Sequence, residues 1–495
     1  MRVLALDIGS SSVRAALVDR HGRIAPGSFS QLPVELDVEP GGRSVVGLDR
    51  IRMLVERAID QSLASEPARD GVVAVGVSTF WHSLIALDAA GRPLTEVLTW
   101  ADTRSAAEAA DLRDRLDAEA IRQRTGCPLH PSYLPAKILW LRRHHPDLFA
   151  RAARLVSCPQ ALTAVWLDSD ATSVSMASGS GLLDRRAATW DAELLDLLGV
   201  APEQLGAILP GPELLPPVTG DYAQRWPALR GVPWRAPVGD GAASNVGAGC
   251  VGAHCLALMV GTSGAMRRCQ PGEPPAPVPD GLWRYLLDYQ HSVTGGALSE
   301  GGNIYAWLDE TLRLPPSAES DPALMTRAPG QHGLVVLPFW SGERSPGWAG
   351  DATATIAGMR LHTTALDILQ ACLEAVAYRF ATVYDALASD NEEVVATGGA
   401  LRASPAWQQI MADVLGVPLR VSPARESSLR GVALVAWRDA GGAPASLAGL
   451  DPGGSVVAPR PDAHQRHREL RNRQARLYER EVGPAGRRLL ARESR

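Results

Sequence analysis

Two short glycine turns rich in small hydroxyl residues are the first feature of this sequence that could do chemistry. D-I-G-S-S-S at residues 7–12 and G-T-S-G at residues 261–264 each follow an apolar run. Glycine permits a tight turn, and the free backbone N–H groups of such a turn can bind phosphate. A single turn of this kind is most often only a hairpin. The matched pair predicts a phosphate site built from two sides, and Lys137, the one lysine, stands in no lysine-type phosphate loop.

Asp7 and Asp240 are the acidic residues whose positions favour a catalytic role. Asp7 stands at the first turn, and because its counterpart in the second is Met259, the strand and turn do not themselves require an acid there. A carboxylate beside polyphosphate can hold Mg²⁺, although an aspartate can also cap its own turn. Asp240 lies between glycines in V-G-D-G-A-A. It could accept the proton of a hydroxyl that attacks a γ-phosphate, or it could cap the helix that follows; we favour the base.

Aromatic and polar residues of the first half are candidates for binding a polyhydroxylated ligand. The C–H faces of such a ligand pack on indole rings, and its hydroxyls need fixed polar partners. Each of these residues taken alone is more often core or surface than a ligand contact. Glycine beside Asp240 leaves space for the substrate. The candidates are Trp81, His82, Trp100, Asp102, His130 and Gly241.

A third glycine turn, T-G-G-A-L-R-A-S at residues 397–404, closes a buried strand in the second half. Backbone without side chains can approach a flat ring closely at such a turn. Adenine is the natural occupant of Gly398 and Gly399 if the phosphates of a nucleotide lie between the other two turns.

An internal repeat supplies the elements that must position these residues. L-A-L-D-I-G-S-S at residues 4–11 recurs as L-A-L-M-V-G-T-S at 256–263, and V-V-A-V-G at 72–76 recurs as V-V-A-T-G at 394–398. Apolar spacing predicts a helix before each second strand: one over 48–59 with a possible N-cap at Asp49, and one over 366–383 with a capping box of Thr364 and Asp367. A helix is also expected over 242–249. The pattern predicts that each half of the chain forms a mixed α/β layer, with a domain boundary near residues 240–255.

Composition narrows the partners and the compartment. The chain has 495 residues, 46% of them hydrophobic and 21% charged, with a formal net charge of −5. No large cationic field exists to attract nucleic acid or an anionic membrane, and no uncharged stretch is apolar enough to span a bilayer. The six cysteines form no zinc pattern and are expected to be buried cytosolic thiols. The arginine-rich segment from residue 461 could be an RNA-binding arm, but we favour a solvated terminal helix.

The motifs together resemble the FGGY carbohydrate kinases, within the sugar kinase, Hsp70 and actin ATPase superfamily, over about residues 2–440. D-I-G-S-S-S-V-R resembles the first phosphate loop of that family, G-T-S-G-A-M-R its second, and T-G-G-A-L-R-A-S-P-A-W its adenosine segment. G-E-R-S-P-G-W at residues 342–348 resembles a signature of its nucleotide domain. The resemblance implies an α/β fold of two RNase H-like domains, with mixed sheets flanked by helices and a cleft between them. The implied division is a sugar-binding domain over 1–245, a nucleotide-binding domain over 246–440 and a basic helical tail over 441–495.

The resemblance also implies roles for individual positions. Asp240 matches the catalytic base of the family, and Asp7 matches its magnesium-associated acid. Ser132 joins Trp81, His82 and Asp102 as a sugar contact. Nucleotide contacts are expected at Gly9, Ser10, Ser11, Ser12, Arg14, Gly261, Thr262, Ser263, Gly302, Gly398, Gly399 and Ser404.

The activity implied by the resemblance is ATP- and Mg²⁺-dependent phosphorylation of a terminal hydroxyl in a cytoplasmic enzyme that could be a homodimer. Glycerol kinases have an Arg-Glu pair where this chain has Trp81-His82, which disfavours glycerol. R-T-G-C-P-L-H-P at 124–131 and G-S-G-L-L-D at 179–184 look most like the gluconate kinase branch. Gluconate is therefore the expected substrate, with Arg104 as a guess for the cation that meets its carboxylate. Xylulose or another pentulose or polyol is the alternative, and a non-catalytic or chaperone-like ATPase of the superfamily, similar to actin or Hsp70, is the rival from another class.

Overall fold

Two seven-stranded sheets, one in each half of the chain, organise the structure. The computed structural model describes residues 1–389, 392–442 and 446–483. In the first sheet the strands lie in the order Leu214–Leu215, Trp234–Arg235, Val72–Thr79, Arg2–Ile8, Ser12–Val18 and Ser30–Pro33, and Val238–Gly239 also pairs with Val72–Thr79. In the second sheet the order is Trp283–Asp288, His291–Leu298, Gly264–Pro271, Cys255–Val260, Glu393–Thr397, Leu419–Val421 and Ser455–Val457. The fold is thus α/β with two domains, as predicted.

The strands and helices of the first half run in chain order as follows. The strands are β1 (Arg2–Ile8), β2 (Ser12–Val18), β3 (Ser30–Pro33), β4 (Asp37–Glu39), β5 (Arg43–Val46), β6 (Val72–Thr79), β7 (Ile85–Leu87), β8 (Val97–Leu98), β9 (Arg154–Val156), β10 (Leu183–Asp184), β11 (Thr189–Trp190), β12 (Leu214–Leu215), β13 (Trp234–Arg235) and β14 (Val238–Gly239). The helices are α1 (Leu48–Leu63), α2 (Ala106–Arg115), α3 (Ala118–Thr125), α4 (Leu134–His144), α5 (Pro146–Arg151), α6 (Cys158–Leu167), α7 (Val174–Ser178), α8 (Ala192–Leu198), α9 (Gly220–Arg225) and α10 (Asp240–Gly247).

The second half continues the numbering. Its strands are β15 (Cys255–Val260), β16 (Gly264–Pro271), β17 (Trp283–Asp288), β18 (His291–Leu298), β19 (Val335–Leu337), β20 (Thr355–Ala357), β21 (Glu393–Thr397), β22 (Leu419–Val421) and β23 (Ser455–Val457). Its helices are α11 (Gly302–Thr311), α12 (Ser317–Met325), α13 (Ala365–Leu387), α14 (Gly399–Ala403), α15 (Pro405–Leu415), α16 (Ser427–Asp439) and α17 (Pro461–Glu481).

The two sheets share a core arrangement, which is the structural form of the sequence repeat. In the first, β1 pairs antiparallel with β2 and parallel with β6. In the second, β15 pairs antiparallel with β16 and parallel with β21. A long helix precedes the parallel strand in both halves, α1 in one and α13 in the other. Both glycine turns therefore connect the same two strands of equivalent sheets.

The helix starts agree with the sequence in one half and differ in the other. Thr364 caps α13, where its hydroxyl accepts from Asp367 N at 3.2 Å and the Asp367 carboxylate accepts from Thr364 N at 2.8 Å. The predicted cap of α1 is wrong: Gly47 is the N-cap, and Asp49 lies in the first turn. A carboxylate in the first turn is also stabilised by the helix dipole. An aspartate at the start of a helix can therefore be either the N-cap or a first-turn residue, and the sequence does not distinguish the two.

Helices α10 and α16 cross with their backbones in contact at the junction of the two halves. A Cβ added to Gly431 would lie 1.8 Å from Ala243 O, and one added to Gly247 would lie 1.8 Å from Ser427 O. Because any side chain would be excluded at these two positions, glycine is what allows the crossing. Helix α16 packs on β1 and β6 as well, so the second half reaches the face of the first sheet.

The end of the chain is integrated into the second domain, which corrects the expectation of a solvated tail. Strand β23 pairs with β22 at the edge of the second sheet. One face of α17 is buried through residues spaced three or four apart, namely Ala463, His467, Leu470, Gln474 and Leu477. That spacing is the amphipathic pattern that the many arginines of the segment obscured. Residues 484–495 of the expected tail lie outside the described part of the chain.

The expectation of six thiols is wrong for one pair. Cys250 and Cys255 form a disulfide between the end of α10 and the start of β15, where the turn of the chain brings their Cα atoms to 5.5 Å. Cys127, Cys158, Cys269 and Cys372 are free and buried, as predicted. Within the described residues, no helix combines the length and apolar character that crossing a bilayer requires.

Candidate active site

Asp240 is the first residue of α10, directly after the short strand β14. Gly239 is the N-cap of this helix, so the alternative prediction that Asp240 caps it is wrong. Its Oδ1 accepts from Gly241 N at 2.7 Å. Removal from bulk water raises the pKa of Asp240 to about 6, aided by Asp7 and opposed by the positive charge of Arg267. A carboxylate with this proton affinity is ionised at neutral pH and is still a competent proton acceptor.

The first glycine turn carries Asp7 and its partner Arg14. Arg14 donates to Asp7 Oδ2 at 3.0 Å and lies 3.3 Å from Glu426, the residue before α16. Burial raises the pKa of Asp7, and Arg14 opposes the shift. Gly9 N donates to Ser12 O at 3.0 Å, which closes the turn. The buried hydroxyl of Ser12 has no hydrogen-bond partner, as expected of a group that awaits a ligand.

The second turn, the start of α11 and the third turn are brought together. Gly261 O accepts from Gly302 N at 2.7 Å, and Thr262 O accepts from Asn303 N at 3.1 Å. Gly398 has φ +95°, and a Cβ there would lie 2.2 Å from Val260 O. These contacts place the predicted nucleotide-binding turns of the second half in one cluster.

The predicted adenine positions differ in how accessible they are. Gly399 has nothing within 4 Å of an added Cβ, so its face is open to a flat ring. Ser404 is engaged instead: it is the N-cap of α15, accepts from Trp407 N at 3.0 Å and donates to Asp321. The predicted adenosine contact at Ser404 is therefore occupied by a capping role in this structure.

Trp81 fills a slot lined by three glycines. A Cβ added to Gly179, Gly239 or Gly241 would lie 2.4, 1.8 or 2.7 Å from the indole. The indole Nε1 donates to Ser175 O at 3.1 Å. The ring thus forms a wall behind Asp240, and it packs edge-on against Tyr285 of the second domain at 5.0 Å.

His82 and His130 are two buried imidazoles beside that wall. His82 has φ 64° and its Nδ1 lies 2.6 Å from Gly179 O. His130 Nδ1 accepts from Ser132 N at 3.2 Å, and the Ser132 hydroxyl lies at the same distance from it. Burial lowers the pKa of His82 well below its ordinary value and that of His130 to about 3, with Arg344 adding to both shifts. Both rings are neutral near pH 7 and suit hydroxyl groups rather than anions.

Trp100 and Asp102 are two residues apart, but their side chains contact different parts of the molecule. Trp100 Nε1 donates to Ser10 Oγ of the first turn at 3.3 Å. The carboxylate of Asp102 accepts from Ser44 N at 3.1 Å and from Arg104 Nη2 at 2.7 Å, and it is 1% exposed. Arg104 also stacks over Trp140 at 4.5 Å. Asp102 and Arg104 therefore satisfy each other, which leaves the guess of Arg104 as a carboxylate receptor without support.

Three basic residues near the site were missed as site residues. Arg267 Nη1 lies 3.4 Å from Gly241 O, and burial lowers the Arg267 pKa to about 10. Arg344 lies over the Trp100 ring, 5.1 Å from its centroid. Both stand within motifs quoted above, G-T-S-G-A-M-R and G-E-R-S-P-G-W. Lys137 is fully buried and donates to His82 O and Thr99 O, both at 2.6 Å; burial lowers its pKa to about 7.

One cavity of the second domain lies away from these residues. It has a volume of about 850 Å³ and is bordered by α13, α15 and α17, with Arg379, His467 and Arg471 among its lining. None of the predicted site residues lines it. Within the described residues there is no cluster of three or more histidine, cysteine or acidic side chains that could hold a metal unaided.

Comparison with known proteins matches both halves of the chain to domains of one family. Residues 2–247 match "FGGY family of carbohydrate kinases, N-terminal domain", and residues 256–440 match the C-terminal domain of the same family. A gluconokinase of Bacillus licheniformis is 27% identical over 456 residues, covering 88% of this chain and 86% of the relative.

Solved structures share the fold. A gluconate kinase from Lactobacillus acidophilus superposes with a TM-score of 0.88 at 24% identity, covering 98% of this chain and 99% of that one. A ligand-bound xylulose kinase from the same organism gives 0.89 at 24% identity with equal coverage. At this identity the likeness establishes the fold alone.

Proposed function

Because the chain belongs to the FGGY family of carbohydrate kinases, which use ATP, we propose that it transfers the γ-phosphoryl group of ATP to a terminal hydroxyl of a sugar acid or polyol. D-gluconate is the preferred acceptor in this proposal, and 6-phosphogluconate is the product. The gluconokinase relative and the gluconate kinase structure support the choice of acceptor.

The observation that carries the proposal is the setting of Asp240. Its carboxylate opens α10 between two glycines, with Trp81 packed behind both of them. A hydroxyl beside it would lose its proton to a group whose pKa is raised to about 6. In phosphoryl transfer an aspartate in this position accepts the hydroxyl proton as the bond to phosphorus forms.

The nucleotide would be held by backbone and hydroxyl groups of the glycine turns. Gly9, Ser10, Ser11 and Ser12 would meet the phosphates from one side and Gly261, Thr262, Ser263 and Gly302 from the other. Thr262 and Ser11 are exposed, and the hydroxyls of Ser12 and Thr397 are buried without partners, which fits groups that bind phosphate oxygen. Adenine would lie against Gly398 and Gly399.

Mg²⁺ fits the same site through Asp7. Magnesium in kinases is usually bound through one or two carboxylates together with phosphate oxygens and water, so no larger cluster is needed. When bound, the ion would neutralise charge on the transferred group. Arg14 would hold the Asp7 carboxylate in place through the 3.0 Å hydrogen bond.

Xylulose is the second candidate acceptor, because a xylulose kinase structure superposes as closely as the gluconate kinase structure does. The buried neutral histidines and Trp100 suit hydroxyl groups of either ligand.

The test of the proposed function is ADP release from purified protein with gluconate, xylulose, ribulose, glycerol or no acceptor, at fixed ATP and Mg²⁺. We expect the highest kcat/KM with gluconate and release that depends on the acceptor. A higher kcat/KM with xylulose would make xylulose the acceptor in place of gluconate, and the assignment as a kinase would stand. Turnover of the same size without any acceptor would favour a chaperone-like ATPase of the superfamily that does not transfer phosphate to a sugar.

Further parts of the proposal concern the setting of the enzyme. We assign sugar binding to residues 1–245 and nucleotide binding to residues 246–440. We also place the enzyme in the cytoplasm, where ATP is available, acting on a small molecule without nucleic acid or membrane partners. A homodimer is part of the same proposal, and sedimentation of the purified protein tests it.

A further inference from the structure

Lys137 links two segments that carry predicted contacts to the acceptor. It lies near the start of α4 and is 0% exposed. Its amine donates to His82 O and to Thr99 O, both at 2.6 Å. His82 follows β6, and Thr99 follows β8 and directly precedes Trp100. One buried amine therefore contacts the backbone of both segments.

The two segments separate from each other at the point where the amine binds. Leu84 and Leu98 are paired through two backbone hydrogen bonds of 3.0 and 2.8 Å. Before Leu84 the chain turns away from this pairing, because His82 has a φ of 64°. No backbone N–H of the described residues donates to His82 O. A buried carbonyl without a donor is unfavourable, so the amine of Lys137 supplies the hydrogen bond that backbone pairing no longer supplies there.

The backbone held by Lys137 carries side chains that are expected to meet the acceptor. The imidazole of His82 lies 2.6 Å from Gly179 O, and the indole of Trp100 donates to Ser10 Oγ at 3.3 Å. A displacement of either segment would change the separation of the two rings. The amine is directed at backbone oxygens, so Lys137 acts through these residues and not on the acceptor itself.

The amine can keep both hydrogen bonds whether or not it is charged. Burial lowers the pKa of Lys137 to about 7, with Asp102 and Arg104 acting on it in opposite directions. An ammonium group has three N–H donors and a neutral amine has two, which is enough for two carbonyl oxygens. The contacts therefore depend on the donors of this side chain rather than on its charge.

We propose that Lys137 is a positioning residue of the acceptor site, which holds the segments of His82 and Trp100 at the separation that acceptor binding requires. This inference rests on the proposed function, because that proposal assigns these residues to the acceptor. It does not depend on which acceptor is used, since both rings suit the hydroxyl groups and C–H faces of an acid or a neutral sugar.

The first test is Lys137→Met, which removes the donors and keeps an unbranched side chain. We expect the KM for gluconate, or for xylulose if that is the better acceptor, to rise at least about tenfold, because both carbonyls lose a donor and the segments shift. The KM for ATP should change by less than about threefold. Ser28→Ala is the control. The buried hydroxyl of Ser28, also in the first domain, accepts from Leu17 N at 3.1 Å, so its loss leaves another buried backbone group unpaired.

A conservative replacement is possible because Lys137 is the one lysine of the chain. Cell-free translation with thialysine, in which sulfur replaces the γ-methylene group, changes this position alone and keeps the amine. We expect the thialysine protein to keep the acceptor KM within about threefold of wild type. Hydrogen exchange measured by mass spectrometry gives a readout without turnover. Residues 81–85 and 98–103 should exchange faster in Lys137→Met than in wild type, and they should not in Ser28→Ala.

Three results would overturn the inference. An unchanged acceptor KM in Lys137→Met, or an equal rise in the KM for ATP, would show that Lys137 does not position the acceptor residues. An acceptor KM raised as much by thialysine as by methionine would show that the donors of the amine are not what matters. Unchanged exchange at both segments would show that Lys137 does not hold them. Wild-type protein that phosphorylates no acceptor would overturn the proposed function instead, while faster exchange in Lys137→Met would still show that Lys137 holds the two segments.

Discussion

At the scale of single residues, two opposed effects determine the pKa of Asp240: burial raises it, and the positive charge of Arg267 lowers it. Removal from water raises its pKa to about 6, and Arg267 limits the increase. In the unfolded chain the pKa of this carboxyl would be near the ordinary aspartate value of 3.8. Between those values the folded protein binds the proton more tightly, so the ionised form at neutral pH weakens the fold. The site is thereby less stable in the state that the reaction requires.

Asp240→Asn should strongly lower kcat and stabilise the protein. We expect kcat to fall by about 10²- to 10⁴-fold, since proton transfer by the base is lost, while ATP affinity stays near wild type. At pH 7.5 the free energy of unfolding should increase by at most about 3 kcal/mol, the equivalent of the pKa shift, and the gain should shrink by pH 5 because wild-type Asp240 is then largely protonated.

Kinetics, nucleotide titration and urea unfolding at both pH values measure these changes. Asp221→Asn, at an exposed position in α9, serves as the control. A variant with wild-type kcat would contradict the assignment of the base.

Arg267→Met should shift the acid limb of the pH profile upward. Wild-type kcat/KM is expected to fall below about pH 6 as Asp240 becomes protonated. Removing the positive charge of Arg267 favours the protonated form, so the midpoint should move to higher pH by about one unit. The profile between pH 5 and 8 measures the midpoint; an unmoved midpoint with a uniformly lower rate would mean that Arg267 acts by packing alone.

The chemistry of the site could be predicted from types and spacing only in part. Asp240, Asp7 and the glycine turns stand out because their residue types are unusual for the local element. Arg344 and Arg267 do not, because 49 of the 495 residues are lysine or arginine and an unpaired arginine looks like a paired one in sequence. Asp102 illustrates the reverse: its neighbour Arg104 satisfies it, which depends on side-chain direction and not on spacing.

At the scale of elements, the crossing of α10 and α16 determines how the two halves meet. Gly247 and Gly431 let the helices touch backbone to backbone, and Asp240 begins one of the two helices. The position of Asp240, the proposed base, is therefore coupled to the second domain through a helix contact in which the backbones already touch. Adding a methyl group there forces the helices apart.

Gly431→Ala should destabilise the protein and reduce activity together. The new Cβ would overlap Ala243 O at 1.8 Å, and overpacking of this kind costs about 1–3 kcal/mol. Urea unfolding and kcat measure the two effects. Gly252→Ala is the control, because nothing lies within 4 Å of an added Cβ there; equal stability of the two variants would contradict the tight crossing.

Element boundaries show what local sequence can and cannot predict. The capping box of α13 was legible because both of its partners lie within four residues. The burial of α17 and the pairing of β23 depend on surfaces supplied by distant segments, so the arginine content of the tail suggested solvent exposure instead. The twofold repeat was visible because strand composition and turn residues recur together.

At the scale of the whole molecule, polar contacts tie the two domains on both sides of Asp240. Arg14 of the first domain meets Glu426 of the second at 3.3 Å. Beside Trp81 and His82, the hydroxyls of Tyr133 and Tyr285 lie 2.6 Å apart, and both side chains are 1% exposed. Enclosure of the site excludes water that would otherwise compete with the substrate hydroxyl.

Tyr285→Phe should lower the free energy of unfolding by about 1–3 kcal/mol, because the Tyr133 hydroxyl is left buried without its partner. The double variant Tyr133→Phe/Tyr285→Phe should lose less than the sum of the single variants, since no orphaned hydroxyl remains. Urea unfolding of all three, with Tyr305→Phe as the control, measures the coupling. Strict additivity would mean that the two hydroxyls do not interact in solution.

Lys137 gives the molecule an unusual chemical surface. It is the one lysine of the chain, and its amine is sealed beneath His82 and Thr99. Activated esters and other acylating reagents therefore find no lysine target on the folded protein. Acylation of Lys137 can occur only when the first domain opens. The rate of labelling at this position therefore reports how often the domain opens.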